Sequence, residues 1–214
     1  MGLPLGRLIC ASNSNKVLTD FIRTGVYDIH RPFYKTISPS MDILISSNLE
    51  RLVFELLGRD EKALTAMMES LRKEGRYELP ASALAALQAE FSGAFADDEA
   101  TMATIRSVWE KNRFLIDPHT AVGLFALSLY RESAPCRMTL VNATASPFKF
   151  SQDVGRAIGL EPGEDALKDA FRLADAAGLS LPDAIAQLEG APVRHTAVTD
   201  IEQMPQAVWN ALCS

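Results

Sequence analysis

Short apolar runs and amphipathic helical segments follow one another along the chain. Leu8–Ala11 is an apolar run that predicts a strand, and a stripe of apolar positions over Lys16–Thr24 predicts a helix that ends at Gly25. Two further apolar runs, Ile43–Ser46 and Thr139–Asn142, predict short strands. Because strands and helices succeed one another, we expect an α/β fold with a few mainly parallel strands.

A helical period dominates the middle of the chain. Apolar positions recur at helical spacing over Leu49–Leu57, residues 60–71, Leu84–Phe95 and Thr101–Asn112. We therefore expect a helix-rich domain over residues 1–160, with an all-helical insertion at about residues 60–115. Residues 161–214 are predicted to form an extension packed on that domain. Helices are predicted at Gln152–Ile158, before the extension, and at Leu167–Ala177, Leu181–Leu188 and Pro205–Leu212 within it, together with a small strand at Arg194–Val198.

Three polar segments each lie at the end of a run that resembles a strand: Ser12–Asn15, Ser38–Asp42 and Asn142–Pro147. In an open α/β sheet, small ligands bind beyond the carboxyl ends of the strands. If these segments meet at one sheet edge, they form a pocket rich in hydroxyl and amide groups, which suits a polar small molecule. This inference from the residues names a kind of ligand and no reaction.

The segment after the last predicted strand has two interpretations. Asn142, Thr144 and Ser146 alternate along the chain, so in an extended conformation all three point to one side and could face a ligand. The competing interpretation is an ordinary polar turn, in which Ser or Thr caps a helix that begins near Ser151. Spacing alone favours the turn.

Other chemistry is sparse. Asp117-Pro118 is a typical helix start, and His119 in its first turn is expected to be structural because no partner residue is visible nearby. The sequence holds no His-rich or Cys-rich metal-binding set and no glycine-rich phosphate loop. Gly123 lies inside the helix that follows, where we expect close packing against a backbone.

Composition excludes several classes of protein. In a chain of 214 residues, 48% of them apolar, the net charge of −6 argues against a nucleic-acid surface, because phosphate binding needs clustered Lys and Arg. Cys10, Cys136 and Cys213 lack paired spacing, so we expect small buried hydrophobic residues in a reducing compartment. The longest apolar stretch is too short to span a bilayer, and no basic segment marks a secretory signal. We expect a cytoplasmic protein with no membrane or nucleic-acid partner.

Five segments of the sequence resemble the threonine synthase family. They occur in the family's order and cover roughly residues 1 to 160. The segments are Ile9–Phe21 (ICASNSNKVLTDF), Arg31–Ile43 (RPFYKTISPSMDI), Ser47–Leu52 (SNLERL), Asp117–Ala121 (DPHTA) and Ala143–Phe150 (ATASPFKF).

The resemblance implies a fold and a reaction. The family uses pyridoxal 5′-phosphate (PLP) to convert O-phosphohomoserine and water into L-threonine and phosphate. Its catalytic domain is of the tryptophan-synthase-β type, called PLP fold type II. Residues 1–160 would then be the carboxyl-terminal part of that catalytic domain.

Two family motifs do not occur in this sequence. The family links PLP to a lysine in a Ser-Phe-Lys-Asp-like motif and holds the cofactor phosphate in a Gly-Asn-Phe-Gly-like loop, whereas Lys149 lies in Phe-Lys-Phe. The chain therefore resembles the carboxyl-terminal half of a threonine synthase. We expect the amino-terminal half to be its partner, and the chain alone to bind no PLP and to be inactive.

The resemblance assigns one site residue. In the family, the threonine of a Thr-Ala-(Ser/His)-Pro motif hydrogen-bonds the pyridine nitrogen of PLP, and Thr144 occupies that position. A neutral hydroxyl at that nitrogen need not keep the ring protonated, as a carboxylate would. Further candidates for the same cavity, with no role assigned, are Asn13, Asn15, Ser38, Ser40 and Asp42.

Two other functions stay open from the sequence. One is another PLP fold-type-II lyase or dehydratase, against which the Ser38–Asp42 and Thr144–Pro147 segments argue. The other is a non-catalytic binding domain that retains the fold. A cofactor absorbance band in the complete gene product would favour either enzyme over the binding domain.

Overall fold

The computed structural model describes residues 5–134, 138–194 and 196–213. They form two compact units, the first ending at Leu181 and the second beginning at Pro182. The first unit holds all four strands found among the described residues. The predicted division into residues 1–160 and 161–214 concerns the complete protein and stays a prediction.

Two pairs of short strands organise the first unit. Strand β1 (Leu8–Ser12) pairs in parallel with β4 (Phe91–Phe95), and the two strands run in register from end to end. Strand β2 (Val26–Asp28) pairs antiparallel with β3 (Arg76–Glu78). The parallel pair is joined by a long crossover, as parallel strands require.

Eight helices of the first unit surround these strands. They are α1 (Val17–Thr24), α2 (Leu49–Leu56), α3 (Glu61–Glu74), α4 (Ala81–Glu90), α5 (Asp98–Asn112), α6 (Pro118–Ser133), α7 (Ser151–Ala157) and α8 (Ala166–Ala177). Local sequence explains several ends. The Asp60 carboxylate caps α3 by accepting from the N–H groups of Lys62 and Ala63, and α1 ends at Gly25, whose φ of 77° lies in the left-handed region.

One apolar core lies around helix α1. Val17 and Phe21 of α1 are fully buried, together with Val53 and Leu87 from α2 and α4. The rings of Tyr27 and Tyr77 stack with centroids 5.3 Å apart. Phe21 meets both rings edge-on, at 5.6 and 5.7 Å. The two strand pairs are thus both packed against the same short helix.

Helix α6 packs against the parallel pair, and α5, α7 and α8 follow behind it. Helix α6 packs on β1 and β4, α5 packs on α6, and α7 joins α5 to α8. The Ser151 hydroxyl donates to the Ala166 carbonyl at 2.8 Å. The Asp169 carboxylate accepts from the Gly163 N–H at 2.8 Å and from Arg172 at 2.7 Å. Helix α8 is therefore fixed to α7.

The second unit is small. It contains α9 (Asp183–Ala186) and α10 (Met204–Cys213), with a 3-10 turn at Ile201–Gln203. Val198 and Leu212 are largely exposed. The strand predicted at Arg194–Val198 is wrong for Arg194 and residues 196–198, which are irregular, and His195 lies outside the described residues. Without a neighbouring strand, the alternation of this segment has nothing to pair with.

The predicted helix-rich α/β class is confirmed, and so is the strand at Leu8–Ala11. The strands predicted at Ile43–Ser46 and Thr139–Asn142 are wrong, because both segments are irregular. Among the described residues, neither has a strand beside it. The first is held instead by Tyr27, whose hydroxyl accepts from the Ser46 N–H at 2.8 Å and donates to the Leu44 carbonyl at 2.9 Å.

The segment from about 60 to 115 is not purely helical. It contains β3 and also β4, where a helix over Leu84–Phe95 was predicted. Helix α4 ends at Glu90, and the chain then turns extended because Gly93 has to pass close to α1. The predicted helices near residues 152–158, 167–177 and 205–212 are confirmed.

Of the cysteines, Cys10 is partly buried in β1, and burial raises the pKa of its thiol. Cys213 is exposed, so its predicted burial is wrong, and Cys136 lies outside the described residues. Across the residues that the structure describes, no helix is long and apolar enough to cross a membrane. The same residues contain no group of three or more His, Cys, Asp or Glu side chains placed to hold a metal ion.

Candidate functional site

The carboxyl end of β1 is tied to a distant loop by two buried asparagines. The Asn13 side-chain amide donates within 2.8 Å of both the Thr36 hydroxyl and the Asp42 carboxylate. The Asn15 amide donates to Asp42 at 2.9 Å and to the Tyr34 carbonyl at 2.8 Å. The segment 34–42 is therefore fastened to the end of the strand. We call Asn13, Asn15, Thr36, Ser38 and Asp42 the asparagine cluster.

Asp42 is the centre of the asparagine cluster. Its Oδ1 accepts from Asn13, from Asn15 and from the Thr36 hydroxyl at 2.7 Å, and its Oδ2 accepts from the Thr36 N–H at 3.0 Å. The buried Ser38 hydroxyl lies 3.1 Å from the Asn13 amide nitrogen. The cluster therefore satisfies its polar atoms internally, and its main effect is to fix the conformation of the loop.

His119 joins this loop to helix α6. The Ser40 N–H donates to His119 Nε2 at 3.1 Å, although the two residues are 79 positions apart. Since Nε2 accepts, the ring proton of a neutral imidazole lies on Nδ1, which is 2.8 Å from Asp117 Oδ1. The sequence analysis assigned no partner to His119, whereas the structure supplies one on each ring nitrogen.

Asp117 has two roles at the start of α6. It caps the helix by accepting from the N–H groups of His119 and Thr120, and it also accepts from the Thr120 hydroxyl. Burial alone would raise the pKa of Asp117. The hydrogen bonds from the side chains and N–H groups of His119 and Thr120 outweigh it and lower that pKa below its usual value. The carboxylate is thus held ionised beside the imidazole.

Thr144 lies in an exposed, irregular segment that leads to the 3-10 turn at Pro147–Phe150. Its hydroxyl makes no hydrogen bond to the residues that the structure describes. The Ser146 hydroxyl accepts from the Phe148 N–H at the start of the turn, and the Phe150 ring meets the His119 ring edge-on at 4.9 Å. The turn that follows Thr144 therefore contacts the same histidine as Ser40.

The free hydroxyl of Thr144 fits one part of PLP, namely the ring nitrogen, to which it could offer a hydrogen bond. The two sequence motifs that hold the lysine link and the phosphate of PLP in the family do not occur in this chain. Lys149 is exposed beside the site, and the Lys16 ammonium lies over the Phe95 ring, 4.2 Å from its centroid. Thr144 is thus the one candidate for a PLP contact that the sequence analysis named, and its role stays a prediction.

The sequence analysis named four residues of the asparagine cluster, Asn13, Asn15, Ser38 and Asp42, and missed Thr36. It described Asp117 as a helix cap and missed its contact with the His119 ring. Thr36 lies in a loop that has no hydrophobic period. The spacing of Asp117 and His119, two positions apart at a predicted helix start, was the available signal: a capping carboxylate there lies within reach of the imidazole.

Comparison of the sequence with known proteins finds threonine synthases. No model of a known protein family matches the chain. The threonine synthase of Pseudomonas aeruginosa is 34% identical over 197 residues, which are 91% of this chain and 41% of that protein.

Solved structures agree with this similarity. The chain resembles a crystal structure of PLP-bound threonine synthase from Brucella melitensis with a TM-score of 0.71 and 41% identity, over 80% of this chain and 37% of that one. It resembles the threonine synthase from yeast with a TM-score of 0.83 and 26% identity, over 100% of this chain and 43% of that one. The chain thus spans about two fifths of the length of these relatives. In sequence and in fold, the chain is similar to part of these threonine synthases.

Proposed function

We propose that this chain is the carboxyl-terminal portion of a threonine synthase, a PLP-dependent lyase that converts O-phosphohomoserine and water into L-threonine and phosphate. The supporting observation is similarity along almost the whole chain to threonine synthases, one of them solved with PLP bound. The five sequence segments that carry the similarity include the residues of the asparagine cluster, the Asp117–His119 pair and Thr144.

In this proposal, Thr144 holds the ring nitrogen of PLP through its hydroxyl. When bound, PLP supplies an electron sink that stabilises negative charge on the substrate carbons. This chain's contribution is to place and bias that ring: a neutral hydroxyl pairs with the nitrogen without holding a proton on it. The asparagine cluster keeps the neighbouring loop rigid, so that groups beside the ring stay in position.

The remainder of the longer protein is the proposed partner of this chain. Among the described residues, β1 has a strand neighbour on one edge alone, which is β4. Leu8, the first residue of β1, is 39% exposed, and Leu5, which precedes the strand, is 63% exposed. Parallel sheets are normally covered on both faces and extended by further strands. The amino-terminal part would supply that cover, together with the lysine and the phosphate loop.

A cytoplasmic location is part of this proposal. Cys10 and Cys213 are both free thiols. Proteins in oxidising compartments commonly pair such residues in disulfides, whereas free thiols persist in the cytoplasm.

The test uses the protein encoded by the complete reading frame around this chain, with the 214-residue chain alone in parallel. We expect the complete protein to show a PLP absorbance band and to release phosphate from O-phosphohomoserine with formation of threonine. The chain alone should show no saturable PLP band and no turnover. A complete protein that instead deaminates serine or threonine would indicate a dehydratase, and a band on the chain alone that is lost on replacing one lysine would overturn the proposed division of the site.

A further inference from the structure

We propose that Asp117 and His119 form a positioning pair that fixes Ser40, so that the Ser40 hydroxyl is presented to a bound ligand at the carboxyl end of β1. The pair itself is argued from the geometry alone. That the ligand is the phosphorylated amino-acid substrate rests on the proposed function.

Ser40 is held differently from the residues around it. Ser38 and Asp42, two positions to either side, belong to the asparagine cluster and are bound to Asn13. Ser40 is outside that cluster, and its backbone is anchored by the bond from its N–H to His119 Nε2 at 3.1 Å. The apex of the 3-10 turn at Pro39–Met41 therefore depends on the position of one imidazole ring.

The imidazole is itself fixed on three sides. It is 6% exposed, its Nδ1 lies 2.8 Å from Asp117, and the edge contact with Phe150 limits its rotation. Asp117 is 1% exposed and bound to the first turn of α6, so it cannot follow the ring if the ring moves. The carboxylate selects the tautomer with hydrogen on Nδ1, which leaves Nε2 free to accept from Ser40.

The group that this arrangement presents is a hydroxyl. Ser40 is exposed, and its side chain makes no hydrogen bond to the residues that the structure describes. A hydroxyl on an anchored turn can donate to a ligand oxygen at a small cost in conformational freedom, because its backbone is already ordered. Ser40 is thus proposed as the contact residue, and Asp117 and His119 as positioning residues that act through it.

Two substitutions of His119 separate its two bonds. In His119→Gln, the longer side chain can bring its carbonyl oxygen near the place of Nε2 and accept from the Ser40 N–H. In His119→Asn, the shorter side chain can donate to Asp117 from the place of Nδ1 but does not reach Ser40. We expect the exchange of the Ser40 amide hydrogen to be about tenfold or more faster in His119→Asn than in the wild type, since that bond is lost, and to stay near the wild-type rate in His119→Gln. Equal exchange in His119→Asn and the wild type would overturn the anchor.

A spectroscopic measurement decides the same point without any substitution. Nitrogen-15 NMR of the wild-type protein should show a neutral His119 with hydrogen on Nδ1 and an unprotonated Nε2. Hydrogen on Nε2 would contradict the bond from Ser40 and sink the proposal, even if both variants fail to fold.

The ligand contact is tested in the complete protein with O-phosphohomoserine. Ser40→Ala and His119→Asn should both raise KM by about tenfold, more than they lower kcat, because a contact made equally in the bound substrate and the transition state is lost. His119→Gln should restore KM toward the wild-type value. A fall in kcat at unchanged KM would overturn the contact role. If the wild-type protein does not turn over this substrate, the proposed function fails, while the exchange and NMR results still decide the positioning pair.

Discussion

Gly93 lies so close to Thr19 that a methyl group built on it would come within 2.9 Å of the Thr19 Cα atom and 3.2 Å of its carbonyl oxygen. The same threonine donates from its hydroxyl to the Ser12 hydroxyl and to the Ala94 carbonyl, both at 2.9 Å. Helix α1 is therefore held directly against the parallel strand pair, with no side chain between the two backbones.

The Gly93–Thr19 contact predicts a large cost for a small side chain. Gly93→Ala should lower the free energy of unfolding by about 1–3 kcal/mol, because the atoms in the way belong to the backbone of α1 and cannot rotate aside. Urea denaturation measures the change. Gly6→Ala is the matched control, since nothing lies within 4 Å of that position, and it should have little effect. Equal stability of the two variants would contradict the close packing.

The asparagine cluster predicts that Asp42 is needed for stability. Asp42→Asn replaces one of the two accepting carboxylate oxygens with an NH2 group that cannot accept a hydrogen bond, so at least one donor among Asn13, Asn15 and Thr36 loses its partner. We expect a loss of about 1–3 kcal/mol in the free energy of unfolding. Asp175→Asn changes an exposed carboxylate on α8 and should stay within about 0.5 kcal/mol of the wild type. A loss no larger than that of the control would show that the cluster contributes nothing.

The lowered pKa of Asp117 predicts sensitivity to acid. Its usual value, expected in the unfolded chain, is 3.8, and the folded value lies below it. Between the two values the unfolded chain binds more protons, so this contribution to stability is fully present above the unfolded pKa and is lost as the pH falls through the folded pKa. Urea denaturation at about pH 6 and at about pH 3 measures the loss.

Two variants test the source of this acid sensitivity. Asp117→Asn cannot ionise, so it should lose less stability than the wild type between the two pH values. Thr120→Val removes one hydrogen bond to the carboxylate and should give an intermediate loss. If Asp117→Asn loses as much as the wild type, the acid sensitivity comes from other groups.

Thr144 is predicted to matter for turnover in the complete protein. Thr144→Val keeps the shape but leaves the ring nitrogen of PLP without its partner, a cost of about 1–3 kcal/mol. If this cost falls on the transition state, kcat drops about ten- to a hundredfold, while PLP absorbance shows nearly full occupancy. The control is Ser151→Ala, which loses the bond to the Ala166 carbonyl and should reduce stability but not turnover per folded molecule. Wild-type turnover in Thr144→Val at full occupancy would make Thr144 an ordinary turn residue.

The sequence predicted those features that depend on neighbouring residues. Leu8–Ala11 is a compact apolar run bounded by polar residues, and it is a strand. Phe91–Phe95 follows the alanine-rich helix α4 directly, and the local pattern was extended through it as helix in spite of Ser92-Gly93. What makes it a strand is its pairing with β1 and its contact with α1, both of which are set by distant parts of the chain.

In the candidate site too, the sequence indicated which residues take part but not the bonds between them. Asn13, Asn15 and Asp42 were found because polar residues that follow apolar runs collect at sheet edges. That they bond to one another could not be read from the chain. The bond between Ser40 and His119 spans 79 positions, and no local spacing encodes it.

The parallel pairing of β1 with β4 has a consequence for how the protein assembles. Leu8 pairs with Phe91, so the two strands can pair once a segment of more than eighty residues has been synthesised after Leu8. Contacts of such long range form slowly, because the entropy of closing the intervening loop is lost before the pairing compensates for it. The segment between the two strands contains the aromatic cluster of Phe21, Tyr27 and Tyr77. Once this cluster has formed, the loop that must close to pair β1 with β4 is effectively shorter. On a ribosome, β1 would therefore leave the exit tunnel well before β4, and the two strands would pair after the segment between them had folded.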